Sequence, residues 1–420
     1  MTTMQMISVE EALERILAIV PLLEAVDVPI LEALGQVTAE DVVSPLDIPP
    51  LDNTAMDGYA VRAADTAGAS EGSPVRLRVI GELAAGYLFE GSVEPGAAVR
   101  IMTGAPMPPG ADAVVPFEET DETSGRNFGS FAKSRDVVGV LKPANPGANI
   151  RYAAEDVRKG QPIIPKGTVL HPAQIGVLAS LGMATVRVHR RPVVAILSTG
   201  DEVVDPGEPL RPGQIYDSNA YSISAMVRAN GGIPRRLGIA KDTVEALTAR
   251  LRDGLDADML ATSAGVSRGD YDVVKDVLAK EGEVDFWTVR MRPGKPLAFG
   301  AFASGDRRVP HIGLPGNPVS SMVSFELFGR PAIFKMLGRS DWQRPAVRAI
   351  ADEPIANTDA RRVYARAILT QRDGAWHAAL TGPQGSGILS SMAAANALAV
   401  VPEDVPGIRP GDEVDCLLLD

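Results

Sequence analysis

The chain has 420 residues, 45% of them hydrophobic and 22% charged, with a net charge of −12. That length exceeds one hydrophobic core and predicts roughly three domains, while the acidic balance argues against a sequence-independent nucleic-acid or membrane-surface binder. The lone Cys416 and four scattered histidines (His171, His189, His311 and His377) rule out a disulfide framework and argue against thiolate or imidazole zinc.

In chain order, Ser8 with Glu11 three residues on forms a capping box, and residues 8–45 read as helical. The first residues lack the basic start of a secretory signal and no apolar run could span a bilayer, so the expected compartment is the cytoplasm. Gly, Pro and short runs such as PVRLRVIGEL over 46–144 predict a small all-β domain. Strand-and-helix texture returns over 145–190, with a helix from Pro172 to Leu181 ended by Gly182. The β stretch therefore reads as an insertion into one mixed α+β N-terminal domain made of 8–45 and 145–190.

Residues 191–338 alternate strand and helix. PVVAILSTGDE is a strand entering a turn, and the following helix is capped near Ser218 or Asn219 and closed by Gly231. KDTVEALTARLRDG gives a second helix, and ADMLATSAGVSRGDYDVVKDVLAKEG a strand, a glycine-containing loop and a helix. Such alternation predicts a doubly wound parallel sheet, with ligands beyond the carboxyl ends of its strands. Residues 343–420 lose helical periodicity and read as a small C-terminal β domain.

Three loops fall at those strand ends: STGDE at 198–202, SAGVSRGD at 263–270 and LPGNPVSS at 314–321. Small residues admit a bound group to the backbone, and helix-end N–H groups favour an anion. None carries GxxxxGK[ST], so a P-loop hydrolase is not supported. FWTVRMRPGKPLAFG adds Arg290, Arg292 and Lys295 around a Pro-Gly turn, with Arg290 and Arg292 expected on one strand face. Arginine suits oxyanions through its fork of donors. Asp201, Glu202, Asp242, Asp270 and Asp272 stand nearby, Asp242 also as a helix-cap candidate. They offer only hard oxygen donors, so a metal here would be Mg²⁺. In LDNTAMDGYAVRAAD, Asp52-Asn53 and Asp57-Gly58 read as two successive turns.

NTAMDGYAV, IMTGAPMPPGADAVV, ANIRYAAEDV, ILSTGDEVV, TSAGVSRGDYDVV, MRPGKPLAFG and GLPGNPVSSMVSF occur in an order that resembles the molybdopterin molybdenumtransferases. These are the MoeA proteins, related to the E domain of gephyrin and its plant counterpart. The resemblance spans essentially the whole chain. It implies four domains, a homodimer, and insertion of molybdenum from molybdate into adenylylated molybdopterin with release of AMP, dependent on Mg²⁺. It implies catalytic roles for Asp57, Thr103, Glu202, Asp242 and Asp270, the first two contributed across the dimer interface. Glu202, Asp242 and Asp270 resemble the acids that bind Mg²⁺ or hold the pterin phosphate region. Arg151, Asp156, Ser263, Gly265, Pro315, Gly316, Asn317 and Pro318 would contact the pterin substrate. Arg292, Lys295, Arg366 and Ser386 match positions implicated in molybdate binding. Thr288 and Arg292 stand where relatives often carry lysine, so Arg290 is a substitute cation. Other readings are a tungstate-handling paralogue, a molybdopterin adenylyltransferase and a pterin-binding scaffold. Further expected partners are the adenylyltransferase and molybdoenzyme apoproteins.

Overall fold

The computed structural model describes residues 6–122, 135–263, 277, 280 and 282–419. Its contacts form two units. One comprises Met1–Glu40, Lys166–Leu178 and Met183–Asp420, and the other Asp41–Pro165 with Ala179–Gly182.

In the first unit, the strand Val193–Thr199 is buried from Val194 onward, as a strand covered on both faces must be. Its alternation sends Val194 and Ile196 into one core and Ala195 and Leu197 into another. The seven-stranded sheet runs in the order Met6–Ile7, Gly282–Val289, Pro296–Ser304, Arg307–Leu314, Met259–Ser263, Val193–Thr199, Ile233–Ala240. The last four are parallel neighbours, and register sets Ser198 beside Ser263 and Ser263 beside Leu314. Three carboxyl ends thus finish level. The sheet is mixed rather than all-parallel: Gly282–Val289, Pro296–Ser304 and Arg307–Leu314 pair antiparallel in succession. Short connections let consecutive strands fold back without a crossover helix, which corrects the parallel expectation for that edge.

The capping box forms, with Ser8 Oγ accepting from the Glu11 N–H at 3.0 Å, but the helix covers only Val9–Ile19. The expected helix over the rest of 8–45 is replaced by other structure. Ala25–Pro29 is a strand paired antiparallel with Thr185–His189. Pro21 removes a helical donor, and AVDVP favours an extended ladder. The helix Pro172–Ser180 is followed by Gly182 at φ +71°, a left-handed stop.

The C-terminal β domain is a closed barrel. Arg362–Arg372, Ala375–Leu380, Ala346–Ala351, Glu413–Leu418 and Ala397–Val401 pair in turn, and the last returns to the first. A two-residue strand, Met291–Arg292, adds in parallel beside Arg362–Val363. The α/β sheet is therefore spliced to the barrel through the backbone of the MRPGK segment.

The second unit holds a five-stranded sheet, ordered Ala113–Pro116, Gly58–Val61, Ala97–Ile101, Val75–Leu83, Val137–Val140, with apolar clusters on both faces. Its flanking pieces pair with each other, Val42–Val43 with Pro162–Ile164 and Asn53–Thr54 with Ile150–Arg151. Among the described residues no helix is long and apolar enough to cross a membrane.

Candidate active site

A cavity of about 870 Å³ opens at the level carboxyl ends, lined by Ser198, Thr199, Glu202, Ser263 and the turn Pro315–Gly316–Asn317–Pro318. Gly200 sits at φ +134°, and a Cβ there would lie 2.6 Å from Glu202 Oε2, so the turn that aims Glu202 requires glycine. Asp217, rather than Ser218 or Asn219, caps the next helix by accepting from the Ala220 N–H at 2.9 Å. That leaves Asn219 free to brace neighbours. Its Nδ2 donates to Ser263 Oγ at 2.7 Å and to the Gly316 carbonyl at 2.8 Å, tying three loops together. Asn219 is 9% exposed, and its Oδ1 and the cavity-lining Ser198 Oγ are buried and have no protein partner among the described residues.

A second stretch of the lining forms a cationic wall. Arg292, Lys295 and Ser386 all line the cavity. The turn between the first two is closed by the Val289 N–H donating to the Lys295 carbonyl at 2.8 Å, and Gly294 at φ +100° has no room for a Cβ. The splice to the barrel brings Ser386 to this wall, and the Val319 N–H donates to its carbonyl at 3.0 Å. One of the free N–H groups at the start of helix Pro318–Ser324 is therefore taken by protein.

Three expectations for this wall are corrected. Arg290 does not share a strand face with Arg292: the strand of the α/β sheet stops at Val289, and Arg292 belongs to the barrel's ladder. Arg290 is exposed and does not line the cavity, so it does not supply there the cation that the resemblance leads one to expect at the buried Thr288. Arg366 does not reach the cavity either. It is 1% exposed, and its guanidinium is spent on the Pro383, Gln384 and Gly385 carbonyls and on Ser391 Oγ.

Sequence reasoning missed Arg361, which lines the cavity, donates to the Met291 carbonyl at 3.3 Å and pairs with Asp359. That pairing, aided by nearby Arg292, holds the Asp359 carboxyl below its usual range. The adjacent arginines that open the barrel strand were the available signal. Asn219 and Asp217 were also missed in these roles, since bracing across loops leaves no spacing pattern.

The acids divide. Glu202 lines the cavity, whereas Asp242 is exposed and does not. Nor does Asp242 cap the helix Val244–Asp253, because Thr243 Oγ1 accepts from the Ala246 N–H at 3.3 Å. Asp201 is exposed beside Glu202. Gly265, Asp270 and Asp272 lie outside the described residues. No three acid, histidine or cysteine side chains converge among the described residues. One hard carboxylate in a cavity sized for a phosphorylated ligand fits Mg²⁺, which keeps waters and takes phosphate oxygens as ligands.

The remaining candidates lie in the second unit. Asp57 accepts from the Thr103 N–H at 2.6 Å and from its hydroxyl at 2.7 Å, and these two bonds hold the carboxyl below its usual range. Gly58 starts a strand rather than completing a free turn, and a Cβ there would lie 2.1 Å from the Val115 carbonyl oxygen. Arg151 pairs with Asn53 in a short ladder, the Asp156 N–H donates to Ile48, and Asp52 accepts from the Ala153 N–H at 2.7 Å. The two polar segments are thus held together, with Asp57, Arg151 and Asp156 exposed.

Family models match nearly the whole chain. The MoeA N-terminal region (domain I and II) matches residues 7–182, a probable molybdopterin binding domain residues 195–335, and the MoeA C-terminal region (domain IV) residues 348–419. The chain is 40% identical to molybdopterin molybdenumtransferase 2 of Mycobacterium tuberculosis over 93% of this chain and 94% of that one. It is 39% identical to the molybdopterin molybdenumtransferase of a Nostoc species, over 92% and 87%. The crystal structure of a molybdopterin biosynthesis MoeA protein from Pyrococcus horikoshii superimposes with a TM-score of 0.83 at 33% identity, covering 99% of this chain and 100% of that one.

Proposed function

The chain belongs to the MoeA family of molybdopterin molybdenumtransferases, and from that premise we propose that it inserts molybdenum from molybdate into adenylylated molybdopterin, releasing AMP. The observation that carries this is the cavity whose lining joins one face of Glu202, Asn219 and Ser263 to a second of Arg292, Lys295 and Ser386. The first face suits a pterin carrying phosphate, because small loops admit it to backbone and hydroxyl donors. The second suits a tetrahedral dianion, which two cations and a hydroxyl neutralise without a nucleophile. Lys295 and Arg292 hold the oxyanion, while the Pro315–Pro318 turn fixes the wall against which the pterin side chain lies. Bound by Glu202, with Asp270 as a second carboxylate, Mg²⁺ would supply charge neutralisation at the adenylate phosphates. Asp57, ionised by its Thr103 contacts, is the catalytic carboxylate of the second unit. The working form is a cytoplasmic homodimer that receives its pterin from the adenylyltransferase and passes cofactor to molybdoenzyme apoproteins.

The test is AMP release from adenylated molybdopterin by the purified protein with Mg²⁺, with and without molybdate. Molybdate-stimulated release with active cofactor formed is expected. Tight pterin binding without turnover would replace the transferase with a carrier, and a strong preference for tungstate would reassign the metal.

A further inference from the structure

Arg366 was expected at the oxyanion, yet it does not line the cavity. The side chain is 1% exposed and has no carboxylate partner among its contacts. Nη1 donates to the Gln384 carbonyl at 3.2 Å, Nη2 to Gly385 at 3.0 Å and Pro383 at 3.4 Å, and Nε to Ser391 Oγ at 3.0 Å. The Gln384 side chain clasps the Arg366 backbone in return, accepting from its N–H at 2.8 Å and donating to its carbonyl at 3.2 Å. A buried cation is costly unless its donors are satisfied, and here three successive carbonyl dipoles satisfy them.

Those carbonyls have a geometric consequence. The peptides following Pro383, Gln384 and Gly385 are trans, so each N–H points opposite to the carbonyl of its own plane. With the carbonyls drawn to Arg366, the N–H groups of Gln384, Gly385 and Ser386 face the other way. Gln384, Gly385 and Ser386 line the large cavity, as Arg292 and Lys295 do, while Arg366 does not. Among the described residues no protein acceptor takes any of the three N–H groups. Successive outward N–H groups form an anion-binding concavity.

We propose that Arg366 is a positioning residue that orients the Pro383–Ser386 backbone so that its N–H groups complete the oxyanion wall beside Arg292 and Lys295. It acts through the loop and does not touch the anion. The assignment rests on the molybdate reading of this cavity. It differs from a charge effect, because a lysine keeps the charge but cannot fan across three carbonyls and a hydroxyl.

Full-length protein, Arg366→Lys and Arg366→Met are titrated with molybdate by calorimetry, after thermal melting shows which variants fold at the assay temperature. Hydrogen exchange of the 383–391 peptide is followed in parallel. The expected result is that both variants bind molybdate roughly tenfold or more weakly, with faster exchange in that peptide and unchanged affinity for adenylated molybdopterin. If Arg366→Lys keeps parental molybdate affinity, charge alone suffices and the positioning role is overturned. Equal weakening of molybdate and pterin overturns it as well, because the loop then serves the whole fold. If Arg366→Met does not fold, Arg366→Lys and the exchange data decide alone. Unmodified protein that binds no molybdate would overturn the oxyanion reading of the cavity, and this inference with it, while binding with both variants unchanged would overturn this inference only.

Discussion

Lys295 and Asp57 show how one side chain's surroundings set its task. Lys295 reaches the cavity from a turn fixed at both ends, so Lys295→Ala removes one charge-assisted contact worth about 1.5–3 kcal/mol. Its molybdate affinity should fall roughly ten- to hundredfold, with the adenylated pterin little affected. Equal loss of both ligands, read by titration, would remove Lys295 from the oxyanion wall. Asp57 is held ionised by the Thr103 N–H first and the Thr103 hydroxyl second. A carboxyl depressed in this way keeps its charge to lower pH than a free one. Thr103→Val deletes the hydroxyl and leaves the N–H, so the acid limb of the pH–rate profile should move to higher pH. Asp57→Ala should abolish cofactor formation; full activity in that variant would strike it from the catalytic set.

Two elements carry predictions that a single contact does not. The strand Arg307–Leu314 places His311 in the sheet interior, fully buried, with Nε2 within 3.0 Å of Thr262 Oγ1 and Nδ1 without a partner among the described residues. Burial holds its pKa down to about 3. Between that value and the unfolded value of about 6.5, the unfolded chain takes a proton that the native chain refuses, so stability falls as pH drops through this window. This residue should account for about 2 kcal/mol of the stability lost between pH 7 and pH 5. In His311→Gln the difference between urea midpoints at those two pH values should shrink; an unchanged difference would show that another group titrates. The helix Val244–Asp253 is capped by Thr243. Thr243→Ala should therefore cost about 1 kcal/mol in denaturant unfolding. Neither element was mistaken in kind from sequence. What the pattern missed was which of two adjacent polar residues caps, and that choice depends on backbone angles one residue apart.

At the scale of the molecule, the proposed dimer makes Asp57 and Lys295 act in different copies. Mixing inactive Asp57→Ala chains with Lys295→Ala chains at a molybdate concentration too low for the latter to turn over, then allowing exchange, should restore part of the activity through sites that receive both intact residues. No recovery, with mixed dimers verified by mass, would place the two residues in one chain's site. The family and its fold could be read from the chain because its motifs are local. STGDE and LPGNPVSS are turns at strand ends, and a parallel sheet obliges such ends to share an edge. The same locality identified Ser8 as a cap and Gly182 as a stop. What local pattern could not decide was which charged side chains meet the ligand. Arg290, Arg292, Arg361 and Arg366 are alike as residues, yet Arg290 faces solvent, Arg292 and Arg361 face the cavity, and Arg366 faces loop carbonyls. Their directions follow from a two-residue ladder between Met291–Arg292 and Arg362–Val363, some seventy residues away in sequence. The sequence by itself determined the family, the strand–helix alternation around Val193–Thr199 and the turns at the strand ends, because these depend on neighbours along the chain. Only the tertiary structure decided which cations line the cavity, because a long-range strand pairing sets the direction of each side chain.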